Sequence, residues 1–292
     1  MSTAGTPGSE AAPQVVQRAD AIRTLIVAAR RDEKTVGLVP TMGALHAGHL
    51  SLVDAAAREC DLVVTTIFVN PTQFNDAQDL ARYPRDLDAD VELLARHGCR
   101  LVFAPSVEEM YGPHHATFVE PAGAAEPLEG ECRPGHFRGV ATIVLKLLNI
   151  VPADVAYFGR KDYQQCLVVE QIVRDLNVPI RIEMLPTVRE ADGLAMSSRN
   201  ARLSPEERRQ AVALSESLAL AADLAAGGET DADVIRGRMR SHLEKAGVKI
   251  DYVELVEDGT VTPMERISGP TVALVAACVG KTRLIDNRVI AQ

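Results

Sequence analysis

An α/β architecture, a doubly wound parallel sheet followed by a smaller α+β domain, is what this sequence predicts. Three observations carry that expectation. From Thr35 to about Thr187, short β-rich runs alternate with segments of helical pattern. After the ADGLAMSSRN segment the order changes to two helices and then three β-rich runs. The 292 residues, 47% apolar and 24% charged, are enough for one large or two moderate domains with ample core.

The elements follow in order. Residues 1–13 are small, polar and interrupted by Pro and Gly, which predicts a loose tail before a helix beginning near Pro13. The run TVGLVP predicts a strand, HAGHLSLVDAAARE a helix, LVVTTIFVN a strand, DLDADVELLARHG a helix and RLVFAP a strand. Strand, helix, strand in that order builds βαβ units, whose strands are parallel. A helix from Gly139 to Asn149, the strand VAYFG, the helix QQCLVVEQIVRDL and the strand IRIEMLP continue the pattern. Residues 14–187 are therefore expected to form a Rossmann-like domain that binds its ligands beyond the carboxyl ends of the strands. An Ala-rich helix from Ser204 to Ala226, a break at Gly227 and Gly228, and a helix to Ala246 open the remainder. The runs DYVELVE, TVALVAACV and RLIDNRVI then predict antiparallel strands, making 188–292 a small α+β domain placed as a lid. The chain shows no internal repeat and no heptad array.

Composition narrows the function. A formal charge of −9, with Lys and Arg scattered, gives no long-range attraction to nucleic acid or anionic membrane, though a local basic pocket for a nucleotide remains compatible. The five cysteines are widely separated and form no CxxC pair, which predicts reduced thiols and no zinc site. The N-terminus lacks the pattern of a signal peptide, and no apolar run approaches the ~20 residues that span a bilayer. A cytoplasmic protein is expected.

The strongest chemical signal is Pro40-Thr41-Met42-Gly43-Ala44-Leu45-His46-Ala47-Gly48-His49, where the first alternating strand hands over to a helix. That is the nucleotide-phosphate position of such a sheet. His46 and His49, three apart, project to one side of the first helical turn beside backbone N–H groups, a small cationic cradle. Two histidines alone would more often be ordinary helix-start residues; the position and the flanking glycines favour a site. These residues resemble the HxGH motif shared by nucleotidylyltransferases and class I aminoacyl-tRNA synthetases, which implies binding of ATP phosphates and stabilisation of charge on the α-phosphate. Met196-Ser197-Ser198-Arg199-Asn200 resembles the mobile phosphate-binding loop of the same enzymes, offering two hydroxyls and a guanidinium. Read alone, it is equally a surface turn before a helix.

Two further segments, FVNPTQF and FGRKDYQQ, each follow a predicted strand and should reach the same crevice. Together with VPTMGALHAGH and READGLAMSSRN, in that order along residues 14 to the C-terminus, they are similar to the pantothenate synthetase family. The resemblance implies an ATP- and Mg²⁺-dependent ligase that joins pantoate to β-alanine through a pantoyl adenylate, releasing pyrophosphate and AMP, and it implies a homodimer. It also implies residue roles. ATP is expected against Pro40, Thr41, Met42, Gly43, His46, Gly48 and His49, against Gly159, Lys161 and Asp162, and against Val188 and Met196 to Arg199. His46, His49, Lys161, Ser197, Ser198 and Arg199 carry the catalytic charge stabilisation. Gln73 and Gln165, with Met42 and Asn70, are expected to bind pantoate. Tyr83 sits near the reacting carboxylate or packs a loop.

Other residues stay outside the list. Arg133 and His136, in RPGHFRG, read as structural or subunit-related. Asp86, Asp88 and Asp90 have spacing that reaches a metal but equally suits a helix N-terminus, so no protein ligand to magnesium is assigned. Cys166 reads as packing. Arg160 departs from the acidic or neutral residue common before the family's lysine, which leaves the charge around Lys161 open. A nucleotidylyltransferase would use the same cradle without explaining NPTQF or KDYQQ. An aminoacyl-tRNA synthetase would need a basic extension, and a nucleotide-sensing module would release no AMP.

Overall fold

The computed structural model describes residues 12–292, so the expected tail falls, as far as Ala11, outside the described residues. The first element is a strand, β1 (Gln14–Val16), and helix α1 (Ala19–Arg31) begins only after it. This corrects the helix expected near Pro13. The three residues pair in parallel with Leu101–Phe103, and long-range pairing of β-branched Val15 and Val16 outweighs the local helix-start signal of the proline.

Next come β2 (Val36–Thr41), α2 (Ala47–Glu59), β3 (Leu62–Ile67), the short α3 (Ala77–Ala81), α4 (Leu87–Ala95) and β4 (Leu101–Phe103). Two single-turn helices, α5 (Val107–Met110) and α6 (Glu129–Cys132), lead to α7 (His136–Ile150), β5 (Val155–Gly159), α8 (Tyr163–Asp175) and β6 (Arg181–Leu185). The six strands form one parallel sheet in the order β1-β4-β3-β2-β5-β6. Alternation along the strands sorts the core into two layers. Leu38, Val64, Ala156 and Phe158 pack with Ile22 and Ile26 of α1, Val144 of α7 and Val168 of α8. Val39, Val63, Val155 and Tyr157 pack with Val53 of α2 and Leu94 of α4.

The order reverses between β2 and β5, which makes that gap the switch point of the sheet. Pairing of β2 with β3 runs on to Thr41 and Ile67, whereas β2 pairs with β5 only at Gly37 and Leu38. The two central strands therefore separate toward their carboxyl ends, and the crevice opens there.

The remainder is α9 (Pro205–Ala226), α10 (Ala232–Lys245), β7 (Lys249–Glu257), β8 (Thr271–Val279) and β9 (Thr282–Ala291). Ser204 and Glu207 close a reciprocal capping box at the start of α9. The three strands are antiparallel with β8 in the centre, as the sequence predicts. One face is covered by α9 and α10; on the other, Val256, Val272 and Leu274 pack on Tyr163 and Leu167 of α8. Burial on both faces explains why β8 reads as an unbroken apolar run.

Candidate active site

The cleft at the switch point is lined by all four motifs. Its first wall is the turn after β2. Gly43 and Ala44 both lie in the left-handed region, at φ of 80° and 52°. Asp90 holds them there: its two carboxylate oxygens accept from the Ala44 and Leu45 N–H groups at 2.9 and 2.8 Å. A β-carbon on Gly43 would come within 2.9 Å of Asp90 Oδ2, so the turn needs glycine for shape and for space. Thr41 Oγ1 donates to the Thr66 carbonyl at 2.6 Å and accepts from the Gly43 N–H at 3.2 Å. Of the acidic run, Asp86 caps α4, Asp88 is exposed in its first turn, and Asp90 is 3% exposed and engaged with the turn. Among the described residues no three His, Cys, Asp or Glu side chains converge on a metal position.

His46 caps α2, its Nδ1 accepting from the Gly48 N–H at 3.2 Å. That bond places the ring proton on Nε2, which is left to donate to a ligand. The His46 and His49 rings lie 4.1 Å apart between centroids, and His49 Nδ1 is buried without a partner among the described residues. Burial, then His46, lowers His49 to a pKa of about 3. Burial, then Lys161, pulls His46 below its ordinary value. The cradle expected to be cationic is therefore neutral, because two desolvated imidazoles in ring contact beside a lysine do not hold their protons.

The second wall starts at Asn70, which caps the single 3₁₀ turn Pro71–Gln73. Asn70 Nδ2 donates to Gln73 Oε1 at 3.0 Å and to the Gly139 carbonyl at 3.2 Å, while its Oδ1 accepts from Tyr111 at 2.8 Å. The amide of Asn70 is thus spent on fixing Gln73, whose Nε2 faces Met42 Sδ at 3.0 Å. Helix α7 approaches so closely that a β-carbon on Gly139 would sit 2.4 Å from the Thr72 carbonyl oxygen. Val140, Ile143 and Val144 of α7 give this part of the cleft an apolar lining.

At the end of β5, Gly159 leads into a 3₁₀ turn and then α8. Lys161 Nζ lies 3.4 Å from Asp162 Oδ1. Asp162 is inside the cleft but open to its void; burial pushes its carboxyl up, and Lys161, then Arg199, more than offset this and keep it below the usual range. Asn287 of β9 donates to the carbonyls of Arg160 and Lys161, both at 2.9 Å, so the second sheet fixes the backbone at the lysine. The charge of Arg160 is taken up by Asp258 at 2.6 Å and does not reach the cleft uncompensated. Both adjacent glutamines border the cleft, but Gln164 is buried and its amide is spent on the Ala124 and Pro127 carbonyls, to which it donates at 2.8 and 2.7 Å. Cys166 is fully buried, and burial pushes its thiol well above the ordinary range, consistent with packing.

The fourth wall is the loop after the Arg189–Ala195 bridge. Ser197 caps the 3₁₀ turn Ser198–Arg202, and Val188, Met196, Ser198 and Arg199 line the cleft. Arg199 and Arg202 both reach Asp79 of α3, at 3.0 and 2.6 Å. Tyr83 is 6% exposed and packs edge-on against Phe74 at 5.7 Å, so it closes the seam beside this loop.

A family model for pantoate-beta-alanine ligases matches residues 14–289. The chain belongs to the pantoate–β-alanine ligase family. Curated relatives match along nearly their whole length. The pantothenate synthetase of Moorella thermoacetica is 52% identical over 278 residues, covering 95% of this chain and 98% of its own. That of Thermotoga neapolitana is 54% identical over 262 residues, 89% of this chain and 94% of its own. Among solved structures, the pantothenate synthetase of Thermus thermophilus superposes with a TM-score of 0.91 at 42% identity, covering 96% of this chain and all of that one (100%). A pantoate-beta-alanine ligase from Francisella tularensis, complexed with beta-gamma ATP and beta-alanine, gives 0.81 at 34% identity, covering 96% and 98%. The ligase is therefore an enzyme of ATP-dependent pantothenate formation, as the four motifs predict.

Every expected site residue of this ligase except Gly43 lines the one cleft, and Gly43 shapes its turn from beneath. Arg133 and His136, set aside on sequence grounds, line the cleft too. Both contact the Gln73 carbonyl, at 3.2 and 2.9 Å. Their three-residue spacing, from the end of α6 to the first residue of α7, was the available signal. On sequence grounds Asp90 reads only as a residue reaching a metal or starting a helix, not as the anchor of the turn, and Asn287 was missed, since nothing in its local sequence shows that the chain returns to the cleft there.

Proposed function

We propose that this cleft forms pantoyl adenylate from pantoate and ATP and then transfers the pantoyl group to β-alanine, with the four motifs in separate roles. In the first step a pantoate carboxylate oxygen attacks the α-phosphorus and pyrophosphate leaves; in the second the β-alanine amine attacks the acyl carbon and AMP leaves. The observation that carries this reading is the convergence of His46, His49, Lys161, Arg199, Gln73 and Gln165 on one cleft at the switch point. The Nε2–H of His46 donates to a phosphate oxygen, and the arriving charge draws protons back onto the histidines. Lys161, Ser197, Ser198 and Arg199 neutralise the triphosphate, and Pro40, Thr41, Met42, Gly48, Gly159, Val188 and Met196 shape the nucleotide pocket. Asp162 accepts from the ribose hydroxyls. Gln73 and Gln165 bind the hydroxyl and carboxylate oxygens of pantoate, Met42 and Asn70 complete that wall, and the apolar face of α7 takes its two methyl groups. No enzyme nucleophile is required, because the chemistry is positioning and charge stabilisation.

Magnesium would enter with the triphosphate as part of the substrate and would supply neutralisation of phosphate charge, with no protein ligand assigned to it. Residues 188–292 form the lid domain over 14–187, a division supported by the separate core under α9 and α10. We place the enzyme in the cytoplasm as a homodimer. Five free thiols support a reducing compartment, and no helix among the described residues is long and apolar enough to cross a membrane.

The test is AMP and pyrophosphate release from MgATP over a panel of acids, with and without β-alanine. AMP release that requires both pantoate and β-alanine supports the reading. Release with a phosphorylated acceptor and none with pantoate sinks it.

A further inference from the structure

A charged cluster outside the four motifs ties the second sheet to the acid end of the cleft. Its centre is Glu129, the first residue of α6, 4% exposed. Arg283 of β9 grips it with both terminal nitrogens, at 2.8 Å to Oε2 and 2.6 Å to Oε1. Tyr252 of β7 donates its hydroxyl to Oε1 at 3.0 Å, and Asp251 braces Arg283 from behind at 2.7 Å. On the cleft side Arg133, one helical turn on, approaches Glu129 Oε2 at 3.7 Å. Burial pushes the Glu129 carboxyl up, but Arg283 and Arg133 hold it below the usual range, so it is ionised.

From Arg133 the contacts continue to the acid-binding wall. Arg133 donates to the Gln73 carbonyl at 3.2 Å, and His136 Nδ1 donates to the same oxygen at 2.9 Å. With its proton on Nδ1, His136 accepts at Nε2 from the other Arg133 nitrogen at 3.1 Å. Burial, then Arg133, lowers His136 to a pKa of about 4, in keeping with this neutral tautomer. The Glu129 N–H also donates to Gln164 Oε1 at 3.1 Å, beside Gln165. One carboxylate thus faces two guanidiniums, one at the end of α6 and one on β9. Without it, Arg283 would keep Asp251 alone, and the part-buried Arg133 would lose the carboxylate that it faces and with it the charge that holds it against Gln73.

We propose that Glu129 is a positioning residue for the acid: seated on Arg283 and Tyr252 of the second sheet, it aims Arg133 so that Arg133 and His136 clamp the Gln73 carbonyl. Docking of the second sheet and the geometry of the acid site are thereby coupled. The inference rests on the reading of Gln73 as a contact to pantoate.

The experiment measures KM for pantoate, ATP and β-alanine, with kcat and thermal midpoint, for the full chain and for Gln73→Ala, Glu129→Gln and Arg283→Lys. Glu129→Gln keeps the shape and removes the charge; it is expected to raise the pantoate KM about tenfold while the ATP KM stays within about twofold. Arg283→Lys keeps a charge but loses the fork, and should raise the pantoate KM about threefold. A lower thermal midpoint with all three KM values unchanged, or an equal rise in all three, overturns the proposal and leaves Glu129 as cement between the sheets. If Glu129→Gln does not fold, Arg283→Lys decides by the same criterion. A pantoate KM raised by Gln73→Ala but not by Glu129→Gln overturns the positioning role alone. One raised by Glu129→Gln but not by Gln73→Ala overturns the Gln73 reading, and with it the route through that carbonyl.

Discussion

The two lips of the cleft are built by different physics. The lip made by residues 41–49 is held by backbone hydrogen bonds to a buried carboxylate, Asp90, and by the hydroxyl of Thr41. The opposite lip, α3 and the 197–202 turn, is joined by Arg199 and Arg202 on Asp79, with side chains 25 to 31% exposed. Buried backbone groups that lose partners cost free energy, of order 1–3 kcal/mol each. Partly exposed ion pairs are worth about 0–1 kcal/mol. The first lip is therefore the more rigidly built, and the ion pairs of the second can be given up at small cost. On the proposed reading, preorganisation sits at the lip that holds the attacked phosphate and adaptability at the lip where the phosphate chain enters.

Breaking the fixed lip should have the largest effects. His46→Ala and His49→Ala each lower the rate of adenylate formation by about 10²-fold or more while the fold survives, as for loss of a preorganised charge stabiliser. Near-normal turnover by both, followed as pyrophosphate release, contradicts the assignment of the fixed lip to the α-phosphate. Gly43→Ala strains a left-handed turn and presses on Asp90, so we expect about 1–3 kcal/mol of lost stability in urea titration and a fall of about tenfold in kcat. Wild-type behaviour of this variant means that the turn yields and the contrast between the lips is weaker than drawn.

The histidines give a pH signature. His49 and His136 have folded pKa values of about 3 and about 4, below the ordinary value of 6.5. Between those values the unfolded chain binds more protons, so their contribution to stability is complete above about pH 6.5 and is lost as pH falls toward 3. Urea midpoints at pH 7.5 and 5 should differ, and the difference should shrink in His49→Gln. For the same reason MgATP binding near pH 6.5 should take up protons, measurable by calorimetry in buffers of different ionisation enthalpy. The smallest effect is expected at the adaptable lip. Asp79→Ala frees Arg199 and should lower the ATP KM by about two- to threefold, with stability changed by less than about 1 kcal/mol. A large loss of stability would show that this lip, too, is locked.

Much of the site was legible because its residues sit in contiguous runs at strand ends. PTMGALHAGH, NPTQF, GRKDYQQ and MSSR each follow a strand or strand-like segment, and strand ends in a doubly wound sheet converge by geometry alone. The protonation of the histidines was not legible, since it depends on ring stacking and burial. Nor was β1, whose identity comes from pairing with a strand more than eighty residues away. Asn70 matched a binding motif, yet its amide is committed to Gln73, Gly139 and Tyr111.

Periodicity, strand order and local motifs are properties of neighbouring residues, so the sequence by itself determined the α/β class, the antiparallel second sheet and the chemistry of the four motif segments. Only the tertiary structure decided which carboxylates serve them: Asp90 under the phosphate turn, Asp79 on the second lip, Glu129 between the sheets. Each acts through a bond to a residue distant in sequence. The sign and strength of such a bond depend on burial and on angstrom distances, and neither exists until the chain has folded.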